Sequence, residues 1–259
     1  MAAGLGTPGP TPFHRLNPLT KLVFATVTAV GAVLIGGVAG PLLLVLVAVL
    51  VPAVLAGILP RLVRTSLLVS LPIAFSAVIV NVFFFPGGRD VIVQLGPIAA
   101  TREGLDFAIQ ILARIAAISG AITLFYLTTR PADLVVDLER RGISGRAAFV
   151  ANASVQTVPR MVELAASIVA AQRARGLDTE GSLGRRLRGI VPIVGPVILG
   201  SLADVEERTM ALEARGFTRP GRRTLLWAPR DRPAERVARW VLCLTLPLLV
   251  VARAAGWLG

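Results

Sequence analysis

Four long apolar runs, at residues 22–39, 41–59, 67–85 and 105–127, dominate this chain, and a fifth, shorter one occupies 240–251. A helix needs about 20 apolar residues to cross the ~30 Å hydrocarbon core of a bilayer. Lipid offers no water to satisfy backbone N–H and C=O groups, so segments of this kind close their hydrogen bonds internally, as helices. The chain as a whole is 54% hydrophobic with a mean hydropathy of +0.74, above the roughly 45–50% apolar content of soluble domains. The expected fold class is all-α: a polytopic membrane protein with about five transmembrane helices.

The segments between the runs supply the expected boundaries. The uncharged "GGVAGP" reads as a tight hairpin between the first two spans. "PRLVRTS", with Arg61 and Arg64, reads as an inner loop before the third span, which ends at "PGG". Residues 87–104 set Arg89 beside Asp90 and Arg102 beside Glu103, charges that cancel as an outer loop permits. The last run is short for a span unless its helix begins near Arg236 and lets flanking arginines snorkel. The first residues, "MAAGLGTPGPTPFHRLNPLTK", are Gly- and Pro-rich rather than a charged stretch leading directly into an apolar core, so a cleaved signal peptide is not expected.

Charge sets the orientation. The formal net charge is +12, from 27 Lys and Arg residues of which only Lys21 is a lysine. An N-terminus inside the cell puts His14, Arg15, Lys21, Arg61, Arg64 and all of 130–239 on the cytoplasmic side. Only Arg89, Arg102, Arg114 and Arg253 then lie elsewhere. The grouping is a topology signal rather than a nucleic-acid footprint, so no nucleic-acid partner is expected. Arg114 falls near mid-depth of the fourth run, where an unpaired charge costs at least about 2.5–3.5 kcal/mol. It is expected to pair with Asp106 or to snorkel; contact with a ligand or a partner subunit is the alternative.

Between Arg130 and Arg239 apolar residues continue but are interleaved with charge, in three helical patterns. "PADLVVDLERRG" opens on Pro131, carries Asp133 in its first turn and closes on Arg140 and Arg141 before Gly142. A second helix starts near Ser144, with a kink expected at Pro159, and reaches roughly 45 Å if 30 residues are helical. A third starts near Gly189, apolar at first and then carrying Asp204, Glu206, Glu207 and Arg208. Their charged halves are too costly for lipid, so these helices are expected at the cytoplasmic interface, packing apolar stripes on one another and on the membrane spans.

The two long helices end alike. "AQRARGLDT" (171–179) returns as "ALEARGFTR" (211–219), so Ala-x-x-Ala-Arg-Gly occurs twice. The Ala permits close approach of another surface, the Arg sits at the negative end of the helix dipole, and the Gly suits a left-handed C-cap. The apolar residue after each Gly, Leu177 or Phe217, is placed to complete a Schellman cap. One copy alone reads as ordinary capping; two suggest matching sockets on a partner that comes in two copies or two related halves.

On Ala174-Arg175-Gly176, Ala214-Arg215-Gly216, the lead-in "HRLNPLTK" and "RRT" at 222–224, the chain resembles the transmembrane T components of energy-coupling factor (ECF) transporters over most of its length. The resemblance implies long cytoplasmic coupling helices and docking of the six motif residues on two ATPase subunits. Those subunits would bind the ATP, this chain would need no cofactor, and a substrate-binding membrane (S) subunit would take up a vitamin or metal ion. Three regions follow: transmembrane helices in 1–129, a coupling region in 130–234 and a terminal transmembrane helix in 235–259. The implied location is the cell membrane, with N-terminus and coupling region cytoplasmic.

The chain's own chemistry points the same way by subtraction. Lys21 follows Leu19 and Thr20, so no Gly-x-x-x-x-Gly-Lys phosphate loop exists. One histidine, His14, rules out a His-x-x-x-His zinc site, and one cysteine, Cys243, permits neither a thiolate zinc site nor an intramolecular disulfide. The acid pairs Asp133 with Asp137 and Glu206 with Glu207 read as solvated helix faces; read instead as metal ligands, they would suggest a membrane-integral lipid-processing transferase. A self-contained carrier is the other alternative, yet only Arg114, Asn81 and scattered Ser and Thr offer polarity at mid-depth. A non-enzymatic coupling subunit ranks first.

Overall fold

The computed structural model describes residues 11, 13–85, 90–95, 98–176, 183–217, 219 and 229–256. The chain divides into two compact units, one made of Met1–Asp137 with Ala228–Gly259 and the other of Leu138–Trp227. Apart from one small hairpin, the described elements are helical, as the apolar runs require.

In the first unit, α1 (Pro18–Leu34) starts where Asn17 Oδ1 accepts a hydrogen bond from Leu19 N at 2.9 Å, with Pro18 in the first turn. It stops at Leu34, short of the expected residue 39, ahead of the Gly36-Gly37 pair. The second run becomes α2 (Ala39–Leu55), whose middle, Leu44–Leu50, is wound as a π-helix. Helix α3 (Leu59–Phe83) begins with Pro60 in its first turn. Arg61 and Arg64 are therefore not loop residues, as expected, but exposed positions on the first turns of a helix.

The expected outer loop is also partly ordered. Strands β1 (Val91–Leu95) and β2 (Ile98–Thr101) pair antiparallel, Val91 opposite Thr101 and Leu95 opposite Ile98, with a bulge between Val91 and Val93. The β-branched run "VIV" favours the extended backbone. Thr101 ends the hairpin and caps α4 (Arg102–Thr128), its Oγ1 accepting from Gly104 N at 3.2 Å, so Arg102 and Glu103 belong to a helix.

Helix α4 is the hub, packing against α1, α2 and α3. Its inner face carries Ala113, Ala117, Gly120, Ala121 and Leu124, all buried, at three- and four-residue spacing. Small side chains let helix backbones approach closely in a bilayer, where packing rather than water expulsion holds helices together. At Gly120 the approach is tight: a Cβ there would lie 2.8 Å from Val49 Cγ1, on the π-wound part of α2. Val49 and Leu124 join Ala25, Ala53, Leu62 and Ala121 in the core.

The chain returns to the first unit with α8 (Pro233–Ala254), which packs along α1. It starts before the expected Arg236 and is 22 residues long. Three helices, α3, α4 and α8, are long and apolar enough to cross a membrane, and α1 and α2 are shorter apolar helices. Arg253, in the last turn of α8, donates to Leu34 O at 2.6 Å and Val33 O at 3.3 Å, placing a cation on the carbonyl end of α1.

Arg114 does not meet its expected partner Asp106. Asp106 lies two helical turns away on α4, about 12 Å along the axis, and among the described residues no ion pair joins them. The Nε of Arg114 is buried without a hydrogen-bond partner among those residues.

Helix α5 (Pro131–Arg140) links the units, and the second unit is built on α6 (Gly145–Ala174) and α7 (Leu183–Ala214). Ser144 caps α6, its Oγ accepting from Ala147 N at 3.3 Å. Helix α6 runs unbroken through Pro159 in its 30 residues, and α7 begins at Leu183 rather than near Gly189 and contains Pro192 and Pro196. The two helices are antiparallel: Phe149 meets Phe217, Leu164 faces Gly200 and Gln172 reaches Pro192 O.

Candidate functional site

The repeated motif closes both long helices of the second unit. Helix α6 ends at Ala174 and α7 at Ala214, so Arg175 and Arg215 stand just beyond the last helical residue, followed by Gly176 at φ +90° and Gly216 at φ +70°. An L side chain would strain at those φ values. Gly216 N donates to Glu213 O at 2.9 Å and Phe217 N to Leu212 O at 2.9 Å, the two bonds of a Schellman cap. At the first tip Gly176 N donates to Arg173 O at 2.9 Å; Leu177 and "RRT" at 222–224 lie outside the described residues.

Phe217 does more than cap its own helix. Its ring meets Phe149 of α6 edge-on, with centroids 4.7 Å apart, an arrangement that suits two ring quadrupoles. Because α6 and α7 are antiparallel, the contact puts the tip of α7 at the start of α6. The two Ala-Arg-Gly tips consequently occupy opposite ends of the helix pair, roughly 35–40 Å apart at 1.5 Å per residue.

All six motif residues, Ala174, Arg175, Gly176, Ala214, Arg215 and Gly216, are exposed. Neither Arg175 nor Arg215 makes a side-chain hydrogen bond or ion pair among the described residues. Arg208 on the same unit shows the contrast, its Nε donating to Asp204 Oδ1 at 3.1 Å. Glu206 and Glu207 are exposed, as a solvated face requires.

The other acid pair is not a solvated face. Asp137 is only 2% exposed and accepts from Asn17 Nδ2 at 3.1 Å. Asn17, itself buried, also donates its backbone N–H to Glu235 Oε2 at 2.7 Å. Arg239, buried on α8, donates to Thr20 Oγ1 at 2.8 Å and to both oxygens of Asp231 at 2.8 and 3.1 Å, with Asn17 Oδ1 a further 3.5 Å acceptor. Burying charge is tolerable only with partners of this kind. Lys21, the lone lysine, donates to Thr128 O at 2.8 Å at the carbonyl end of α4 and to His14 O at 3.0 Å.

Sequence reasoning missed this polar cluster. Its visible signal is Asn-Pro directly ahead of an apolar helix, together with Glu235 and Arg239 four apart at the start of the last one. At Asp133 burial raises the carboxyl above its ordinary range, against the pull of Arg130 and Lys21. His14 is shifted the opposite way: burial disfavours its imidazolium and the Lys21 ammonium repels it, so its pKa falls below 6.5. As the one histidine of the chain, it gives a single set of imidazole NMR signals. Their titration midpoint is expected below 6.5, and Lys21→Met moves it back upward; a midpoint at or above the ordinary value contradicts this environment.

The family described as CbiQ, cobalt transport protein, matches residues 9–225. The chain belongs to that family. It is 32% identical to the energy-coupling factor transporter transmembrane protein EcfT of Bacillus selenitireducens over 88% of this chain and 89% of that protein. It is 31% identical to the EcfT of Brevibacillus brevis over 88% and 91% of the two. A putative ABC transporter ATP-binding protein of Bifidobacterium longum is 31% identical over 86% of this chain but only 30% of its own, longer length. The protein is thus an ECF-type transporter transmembrane component, non-enzymatic as the EcfT relatives and the family are named. Its family match takes in the polar cluster's N-terminal half and both Ala-Arg-Gly tips.

Proposed function

We propose that this transmembrane component couples ATP-driven motion of two ATPase subunits to a substrate-binding membrane subunit that imports a vitamin or metal ion. The observation that carries the reading is the pair of exposed Arg tips, matched in sequence, each followed by a positive-φ glycine and held at opposite ends of one antiparallel helix pair. Such an arrangement suits two equivalent sockets on two equivalent partners. A guanidinium without a partner among the described residues is available for charge-assisted contacts to carboxylates or carbonyls, and the flanking Ala and Gly allow backbone approach. ATP would be bound by the partners, since this chain lacks a phosphate loop. The longer relative named as an ATP-binding protein supports that pairing, because most of its length lies outside the match.

Apolar side chains also stay exposed on the second unit, among them Val194, Ile198, Leu202 and Val205 at three- and four-residue spacing on α7. Stripes of that kind mark interaction surfaces, here for the substrate-binding subunit. The arginine distribution favours the cell membrane as location, with the N-terminus and the coupling region in the cytoplasm.

Thiol labelling tests the docking role. In a Cys243→Ser background, Arg175→Cys and Arg215→Cys are expected to react with a membrane-impermeant maleimide from the cytoplasmic side only, and both to be protected once the ATPases are bound. Equal labelling with and without the ATPases would falsify it.

A further inference from the structure

Asn17 stands where two distant parts of the chain meet. The chain leaves the first unit directly after Asp137 and comes back to it at Ala228. On the outgoing side Asn17 Nδ2 donates to Asp137 Oδ1 at 3.1 Å. On the returning side the Asn17 backbone N–H donates to Glu235 Oε2 at 2.7 Å, and Arg239 NH1 reaches Asn17 Oδ1 at 3.5 Å. Asn17, Asp137, Glu235 and Arg239 are each 7% exposed or less. The same Asn17 Oδ1 caps α1 through Leu19 N. One residue ahead of the first apolar helix thereby ties together both strands of chain that lead into and out of the coupling region.

We infer that Asn17, bonded to Asp137, Glu235 and Arg239, is a positioning clasp that holds the two roots of the coupling region together, so that movement imposed on its helices is passed to the membrane helices rather than absorbed at the roots. The inference rests on the coupling role proposed above. Physically, an excursion of about ninety residues attached by two independent strands of chain can hinge at each; binding both to a shared buried residue removes that freedom. Buried hydrogen bonds to charged groups are suited to the task because their length and direction are narrowly set. An apolar contact of the same area would bind the roots yet let them slide.

Asn17→Asp breaks the outgoing side of the clasp, while its carboxylate stays within reach of Arg239 on the returning side. Aspartate matches asparagine in size and caps helices as well, but it turns the amide-to-carboxylate bond with Asp137 into a meeting of two carboxylates. Asp137→Asn added to Asn17→Asp reinstates an amide-to-carboxylate bond with donor and acceptor exchanged. Asn17→Ser, which keeps a capping oxygen and lacks the amide donor, serves where Asn17→Asp does not accumulate.

The measurement uses the full transporter in proteoliposomes, reading ATPase co-purification, ATP hydrolysis and substrate uptake side by side. The expected result is that Asn17→Asp and Asn17→Ser keep the ATPases bound and hydrolysing, while uptake per ATP falls roughly tenfold or more, the effect of losing one buried charged hydrogen bond. The exchanged pair Asn17→Asp with Asp137→Asn recovers most of that ratio. A purely structural role would lower hydrolysis and uptake together with the amount of assembled complex. Wild-type uptake per ATP in the single variants overturns the clasp and leaves the coupling role standing, as does an exchanged pair no better than Asn17→Asp. Failure of the unaltered protein to hold ATPases overturns the coupling role itself.

Discussion

Reversing both tip charges, Arg175→Glu with Arg215→Glu, is expected to release the ATPases and abolish uptake while the protein still inserts and folds. Each hydrogen bond to a charged group contributes about 1.5–3 kcal/mol, and a carboxylate in place of the guanidinium adds repulsion to the loss. A single reversal should therefore weaken its own contact by roughly 10- to 150-fold. The opposite tip stays engaged and keeps the second contact intramolecular, so single variants retain part of the association. The double variant has no such reserve. Were the arginines only helix caps, their replacement would alter dipole interactions of about 0.3–1 kcal/mol, with no consequence for binding. Both arginines are exposed and their side chains make no hydrogen bond or ion pair among the described residues, so folding should be nearly unaffected. ATPase co-purification at wild-type stoichiometry from the double variant would exclude the docking role.

Arg239→Leu is the largest expected loss of stability. Arg239 is 7% exposed and its bonds run to Asp231, Thr20 and Asn17. Removing one member of a buried ion pair typically costs about 3–5 kcal/mol, and the lower end applies because Arg236 Nε remains 3.4 Å from the same Asp231 carboxylate. For a chain of this size that corresponds to a fall in melting temperature of roughly 6–12 °C in detergent. Asp231→Asn on top of Arg239→Leu should restore part of the loss, since a neutral amide no longer needs a countercharge. Arg208→Leu provides the control: its pairing with Asp204 is exposed, and such pairs contribute about 1 kcal/mol or less. Equal destabilisation by the two variants would show that burial of Arg239 carries no special weight.

The helices were legible because their signals are local. Apolar length marked α3 and α4, Pro131 and Ser144 marked the starts of α5 and α6, and Ala-Arg-Gly marked the two long C-termini. Where the reading failed, a neighbour in space decided the outcome. Arg61 and Arg64 look like loop residues because they are charged, but a helix end at a membrane surface accommodates charge on its exposed side. Asp133 and Asp137 look alike in sequence, four apart on one helix; Asp137 is buried because Asn17, 120 positions away, supplies its partner. Arg114 offered a sequence neighbour, Asp106, that helix geometry keeps out of reach.

Composition and periodicity determined that this chain enters a bilayer, which segments are helical and that two helices finish on a capped arginine, since apolar length and cap chemistry act within a few residues. Only the tertiary structure decided that those arginines lie at opposite ends of an antiparallel pair and that Asn17 joins Asp137 to Glu235 and Arg239. Both depend on which residues far apart in the chain come to share a surface, and no local preference of the backbone encodes that.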